Sequence, residues 1–320
     1  MTECNLDEIT DWYLPKDSVS TGIFFMGEKK PHELSEVDKK PLLNYAHQLV
    51  DCCEGKRGIT DFRLDLEGRS YRVHVIPSIN GDILAFRQIA KEPPSLDKLS
   101  MNEGIKKLLL SPRLSTGGLI LFAGETGQGK TTSMIATVFR RLSLFGGFCM
   151  TVEDPVEVQL PSRIGAGYCV QVEVNPDKDN SYSELLRGAL RSYPATAGSS
   201  LVIGEIRDAE TAIQALKASV SGHLVFGTIH GSDVTASIRR LISMASKSDT
   251  KEAAELVAAS LRMIVHQKLN KKQINATILT SFSESSPVAA KIRNGSLELL
   301  LDEVQSQNNL VRLNKIDKII

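Results

Sequence analysis

Short, largely apolar runs recur through the middle of the chain, at residues 119–123, 148–152, 201–204 and 224–228. Between them lie stretches with apolar residues at helical spacing, at 132–142, 181–191, 209–219 and 235–244. Continuous apolar strands separated by helices predict a mostly parallel sheet covered on both faces. The first hundred residues have a different rhythm. In 35–53 the apolar positions Val37, Leu42, Leu43, Ala46, Leu49 and Val50 follow a helical period. Residues 62–66 and 71–76 alternate apolar and polar around Gly68, a hairpin pattern, and 83–89 follows the turn Asn80-Gly81 as a third strand. Pro93 and Pro94 stand in a polar stretch that reads as a linker. The expected organisation is therefore a small mixed module over 1–96 and an α/β domain over 97–320. From Asn270 the pattern is less regular, with helices expected near 287–293 and 297–304.

Length and composition fit two folded domains: 320 residues, 42% hydrophobic and 24% charged. Lys plus Arg and Asp plus Glu are 38 each, so the net charge is zero. Balanced charge and only 5% aromatic residues speak against a basic, base-stacking nucleic-acid surface, so no direct nucleic-acid binding is expected. No apolar run approaches the ~20 residues that span a bilayer, and the N-terminus is acidic, unlike a signal peptide. The five cysteines, Cys4, Cys52, Cys53, Cys149 and Cys169, lack C-x-x-C spacing, which argues against a disulfide framework or a four-thiolate zinc site. A cytoplasmic protein is expected.

The chemistry is concentrated where the apolar strands end. Gly124-Glu125-Thr126-Gly127-Gln128-Gly129-Lys130-Thr131 fits G-x-x-x-x-G-K-[ST] in full, after an apolar strand and before a helix. Such a loop turns backbone N–H groups inward around phosphate oxygens at a helix N-terminus. Lys130 is expected to neutralise the β- and γ-phosphates, and the Thr131 hydroxyl to ligate Mg²⁺, with Thr132 next in the loop. ATP and Mg²⁺ are thus the expected cofactors.

Three further strand ends carry candidates. Thr151-Val-Glu153-Asp154-Pro155-Val-Glu157 presents carboxylates able to polarise a water for in-line attack, or simply a solvated acidic turn. Leu201-Val-Ile-Gly-Glu205-Ile-Arg207-Asp208 ends a second strand in an acid that could hold Mg²⁺ directly or through water. His223-Leu-Val-Phe-Gly-Thr-Ile-His230 brackets a third with two histidines, of which His230 lies at the end facing the phosphates.

These four blocks, in this order, resemble the secretion ATPase superfamily of type IV pilus motors and type II and type IV secretion ATPases. They correspond to its Walker A, Asp box, Walker B and His box. The likeness is greatest to the PilT-type pilus motors, through the short length and Leu186-Arg-Gly-Ala-Leu-Arg191 ahead of the Walker B strand. The resemblance implies a PAS-like N-terminal domain, a RecA-like motor domain and a homo-hexamer that hydrolyses ATP. It also implies association with the inner membrane through a platform protein. By motif position it implies Glu153 as general base, Glu205 as partner of the Mg²⁺ water, and His223 and His230 as the His-box pair. It further implies Arg72 and Arg87, on adjacent strands of the first module, as donors to the γ-phosphate. The segment 192–200 departs from the family pattern, and 287–294 shares little beyond Ile292 and Arg293 with the retraction motors. The tetracysteine insert of the extension motors is missing. A nucleic-acid motor sharing the same core is the competing expectation.

Overall fold

The computed structural model describes residues 5–27, 30–36, 40–55, 59–90, 92–174, 182–194, 198–246, 250–271 and 273–319. Cys4, Val37, Ser181 and the middle of the 192–200 segment lie outside the described residues. The chain divides into two compact units, one spanning Met1–Lys91 and one spanning Glu92–Val174 and Ser181–Ile320. Pro93 and Pro94 therefore head the second unit, ahead of the boundary after residue 96 that the sequence suggests.

In the first unit, strands β1 (Asp11–Pro15), β2 (Ile23–Phe25) and β3 (His32–Glu33) precede helix α1 (Lys40–Asp51). Strands β4 (Asp61–Leu66), β5 (Arg69–Ile76) and β6 (Ile83–Ile89) follow it. All pairings are antiparallel, in the order β3-β2-β1-β6-β5-β4. Glu67 and Gly68 both have positive φ, the two-residue turn whose twist suits a hairpin between β4 and β5. α1 buries Leu42, Tyr45, Ala46, Leu49 and Val50, a single helical stripe, in a cluster with Trp12, Phe24, Tyr71, Val73 and Phe86. Inside it the Tyr45 and Tyr71 hydroxyls meet at 2.9 Å. Strands β1 to β3 were not legible in the sequence, because they are two to five residues long and only one face is buried.

The second unit opens with α2 (Glu103–Leu109) and continues β7 (Gly118–Ala123), α3 (Lys130–Phe145), β8 (Gly147–Glu153), β9 (Arg163–Ile164) and β10 (Gly167–Glu173). Next come α4 (Tyr182–Arg191), β11 (Ser199–Ile203), α5 (Ala209–Val220), β12 (Leu224–Ile229) and α6 (Val234–Ala245). It closes with α7 (Thr250–Ser260), β13 (Leu261–Asn270), β14 (Gln273–Thr280), α8 (Pro287–Arg293) and α9 (Leu300–Arg312). The sheet runs β14-β13-β7-β12-β11-β8-β10-β9 and is parallel except at its two edges, where β14 and β9 run antiparallel to their neighbours.

Every residue of β7 is buried, and successive side chains enter different cores. Leu119 and Leu121 pack in one cluster with Ala215, Leu216 and Ile238, while Ile120 and Phe122 pack in another with Ile135 and Val138. Burial on both faces is why these strands read as unbroken apolar runs. The four strands and four helices expected here form. Where the sequence looks irregular past Asn270, the structure instead completes a long hairpin of β13 and β14. β14 is a sheet edge, and α9 covers part of it. Asn308 exchanges two hydrogen bonds with the backbone of Ile278, and Gln307 two with that of Thr280. Among the described residues, no helix is long and apolar enough to cross a membrane.

Candidate active site

The Gly-rich loop leaves the buried end of β7 and enters α3 through Gly129, whose φ of 74° is the left-handed conformation that glycine adopts without strain. Gly124, at φ 145°, lies so close to β13 that a Cβ there would sit 2.5 Å from the Gln267 carbonyl oxygen. β13 also grips the loop further on. Gln267 Nε2 donates to the Gln128 carbonyl at 2.6 Å, and the Leu269 N–H donates to Gln128 Oε1 at 2.6 Å.

Lys130 is buried, its Nζ donating to the carbonyls of Gly124 at 3.0 Å and Glu125 at 2.8 Å. The ammonium is thereby folded into the centre of its own loop. Burial lowers its proton affinity below the ordinary lysine value, while the Glu205 and Glu157 carboxylates oppose that shift. Glu125, Thr126 and Gly127 line the exposed rim, with Thr131 half-buried and Thr132 exposed in the first helical turn.

Glu153 ends β8 and is 1% exposed. Its Oε1 accepts from Gln171 Nε2 at 3.1 Å. Burial raises its pKa to about 7, against the polar groups of Thr151 and Gln171, with Glu157 and Glu173 adding like-charge repulsion. Tyr182 ties this strand end to the next: its hydroxyl donates to the Val152 carbonyl at 2.6 Å and accepts from the Gly204 N–H at 3.1 Å.

Glu205 follows β11 and stands between His230 and Arg207. His230 Nε2 is 2.8 Å from its Oε1, and Arg207 Nε is 2.7 Å from its Oε2. The segment is stitched to β12 by Thr228, whose hydroxyl donates to the Gly204 carbonyl at 2.6 Å and whose carbonyl accepts from the Ile206 N–H. His230 titrates below the usual histidine value, first through burial and then through the Lys130 charge. It is a neutral ring at pH 7, its Nε2–H donating to Glu205.

The structure thus gathers the Gly-rich loop, Glu153, Glu205 and His230 at the carboxyl ends of parallel strands, where open α/β sheets bind ligands. His223 is not brought there. It precedes β12, about 23 Å along the strand from His230 at ~3.3 Å per residue. Its Nδ1 meets Ser199 Oγ at 2.6 Å and its ring lies 4.7 Å from that of Tyr193. Arg72 and Arg87 belong to the first unit, directly opposite each other on β5 and β6. Arg72 pairs with Asp61 and Arg87 with Asp11.

Mg²⁺ takes few protein ligands beside phosphate oxygens and water. Among the described residues no group of three or more His, Cys, Asp or Glu side chains is placed to cage a metal. Of the two residues expected at the ion, Thr131 is half-buried at the start of α3, and Glu205 has its carboxylate oxygens engaged by His230 and Arg207. Gln171, Gln267 and Tyr182 escaped the sequence reading. Each acts from a strand or helix neighbouring a motif, and the polar alternation Gln171-Val-Glu173 was the only sign of any of them.

The competence protein ComGA of Bacillus subtilis is 34% identical over 194 residues, 60% of this chain and 52% of that one. The type IV pilus retraction ATPase PilT of Pseudomonas aeruginosa is 31% identical over 215 residues, 67% and 59% of the two chains. The chain spans about half the length of these curated relatives. The crystal structure of the pilus retraction motor PilT with bound ADP matches the fold with a TM-score of 0.73 at 23% identity, covering 93% of this chain and 85% of that one. The Legionella pneumophila ATPase DotB matches at 0.66 and 21% identity, covering 95% and 84%. The profile of the Type II/IV secretion system protein family, T2SSE, matches residues 58–296, well over half the chain. The chain belongs to that family.

Proposed function

We propose that this protein is an ATP-hydrolysing motor subunit of a type IV pilus or type II/IV secretion machine. It works as a homo-hexamer held at the inner membrane by a platform protein. The observation that carries the reading is the convergence of Lys130 and its loop, Glu153 and the Glu205–His230 pair at one end of one sheet. The relatives from competence, pilus retraction and type II secretion match at similar identity, 31–37%. That similarity supports an activity common to all of them.

The mechanism follows from the residues. Backbone N–H groups of 124–131 and the Lys130 ammonium bind the β- and γ-phosphates. Mg²⁺, when bound, neutralises charge on those phosphates. Glu153 accepts a proton from a water whose oxygen attacks Pγ in line. The bond from Pγ to the bridging oxygen breaks, and ADP leaves with the electron pair. A carboxyl titrating near 7 is well matched to taking that proton and returning it to solvent. Glu205 orients His230 through Nε2, so the histidine reads the charge at the γ-position. Arg72 and Arg87 keep the role the resemblance implies, as donors to the γ-phosphate.

The test is steady-state hydrolysis of ATP with Mg²⁺ by the full chain beside Lys130→Ala and Glu153→Gln. Lys130→Ala is expected to lose nucleotide binding, and Glu153→Gln to bind ATP but turn over about 10²-fold or more slowly. Wild-type turnover no faster than Lys130→Ala overturns the reading. Light scattering with Mg²⁺ and a non-hydrolysable ATP analogue is expected to show six copies of 35.0 kDa, about 210 kDa. A monomer or dimer with and without nucleotide overturns the hexamer.

A further inference from the structure

Strand β10, beside β8, carries no motif of the phosphate site, yet two of its side chains reach into the segment that follows Glu153. Glu153 and Glu173 face each other in register across the parallel pair. Glu173 Oε2 accepts from the Val156 N–H at 2.9 Å. Two residues earlier, on the same face, Gln171 makes three hydrogen bonds. Nε2 donates to Glu153 Oε1 at 3.1 Å and to the Val158 carbonyl at 3.0 Å, while Oε1 accepts from the Leu160 N–H at 2.6 Å.

A carboxamide has two donors on one atom and one acceptor atom, in a rigid plane. With Oε1 and one Nε2 proton fixed by backbone, the remaining proton can point in one direction only, at the Glu153 carboxylate. We propose that Gln171 is a positioning residue for Glu153: it fixes the rotamer of the carboxylate, engages Oε1, and so leaves Oε2 to take the proton of the attacking water. The inference rests on the reading of Glu153 as the proton acceptor.

The electrostatic surroundings make that donor consequential. Glu153 is faced by Glu157 on its own segment, Glu173 on β10, the Cys149 thiol on β8 and the Tyr182 hydroxyl on α4, and Asp154 and Arg207 act in turn on Tyr182. Burial and the neighbouring carboxylates disfavour its charged form, and the Thr151 hydroxyl and the hydrogen bond from Gln171 favour it. Removing the donor raises the proton affinity of Glu153. Replacing it by a carboxylate raises it further.

The experiment measures kcat and KM for ATP from pH 5.5 to 9 with the full chain and Mg²⁺. It compares wild type, Gln171→Leu, the near-isosteric Gln171→Glu, and Gln171→Leu combined with Glu153→Gln. For Gln171→Leu, kcat at pH 7 is expected to fall about tenfold with KM within about twofold. The acid limb of the kcat profile is expected to move up by about 0.5 unit or more, and further for Gln171→Glu. In the Glu153→Gln background the Gln171→Leu change is expected to cost nothing more, because its route of action is gone. If Gln171→Leu fails to fold, Gln171→Glu carries the test alone. An unmoved acid limb, an unchanged kcat, or an equal further loss in the Glu153→Gln background overturns the proposal. A wild type without Mg²⁺-dependent turnover overturns instead the reading beneath it.

Discussion

His230 and Glu205 end neighbouring parallel strands and meet at 2.8 Å, Nε2 to Oε1. Arg207 takes the other oxygen of the same carboxylate, so Glu205 is held between a permanent cation and a neutral ring. Removing the ring leaves the Gly-rich loop and Lys130 untouched. His230→Ala is therefore expected to bind a fluorescent ADP analogue within about threefold of wild type and to lose about tenfold or more in kcat. Equal losses in affinity and turnover would place His230 in simple nucleotide binding.

Glu153 also makes stability depend on pH. Its pKa is raised from 4.5 to about 7 in the folded chain. The native state therefore holds a proton that the unfolded chain has released between those values. Stability from this group is full below the unfolded pKa and is lost as pH rises through 7. The difference, from ~1.4 kcal/mol per pKa unit, is about 3 kcal/mol. Glu153→Gln is expected to melt higher than wild type at pH 8 and with a much smaller advantage at pH 5, measured by thermal denaturation of both proteins across that range. A gain independent of pH would remove the burial argument.

The phosphate loop is braced by a strand from outside its motif. Gln267 is fully buried and its Oε1 has no hydrogen-bond partner among the described residues, while its Nε2 holds the Gln128 carbonyl. Gln267→Leu removes a hydrogen bond to the loop and an unsatisfied buried acceptor together, effects of opposite sign on folding. Nucleotide affinity is expected to fall about tenfold, ~1.4 kcal/mol, with the melting temperature nearly unchanged. Gly124→Ala is expected to lose nucleotide binding altogether, since its Cβ would collide with the Gln267 backbone oxygen. Isothermal titration with ADP reads both.

What could be read in advance follows from how each residue is used. β7, β8, β11 and β12 are buried on both faces, so their apolar runs stand out. The Gly-rich loop announces itself because backbone conformation demands glycine at particular positions, as the φ values of Gly124, Gly127 and Gly129 show. β13 and β14 were hidden because Lys268, Asn270, Gln273 and Asn275 crowd the exposed end of the hairpin and blur its alternation. Gln171 and Gln267 were hidden for a different reason. Their significance is set by which strand lies beside β8 or β7, and strand order is a tertiary property. The two histidines that bracket β12 look equivalent in sequence, but a six-residue strand separates them to opposite ends of the sheet.

That separation has a consequence for His223. Its bonds to Ser199 and its contact with Tyr193 join the start of β12 to that of β11, while Tyr193 donates to the Ser200 carbonyl at 2.7 Å. His223→Ala is expected to lower stability by about 1–2 kcal/mol and to leave kcat, assayed well below the melting temperature, within about threefold of wild type. A larger loss of turnover in a folded protein would give His223 a part in catalysis that these contacts do not.

The edge strand supplies the last test. A sheet edge exposes backbone groups that can pair with another chain, and Asn308 satisfies both polar groups of Ile278 with one carboxamide. Leucine has a similar size but offers no donor or acceptor, so Asn308→Leu strands a buried N–H and C=O. The expected loss is about 2 kcal/mol, read as a lower urea midpoint with an unchanged slope. Gln307→Leu does the same at Thr280. Because the two rungs are adjacent, the double variant opens a continuous length of edge, and it is expected to self-associate under light scattering where either single variant does not. A double variant that stays as dispersed as wild type would mean that the body of α9, rather than its amides, guards the strand.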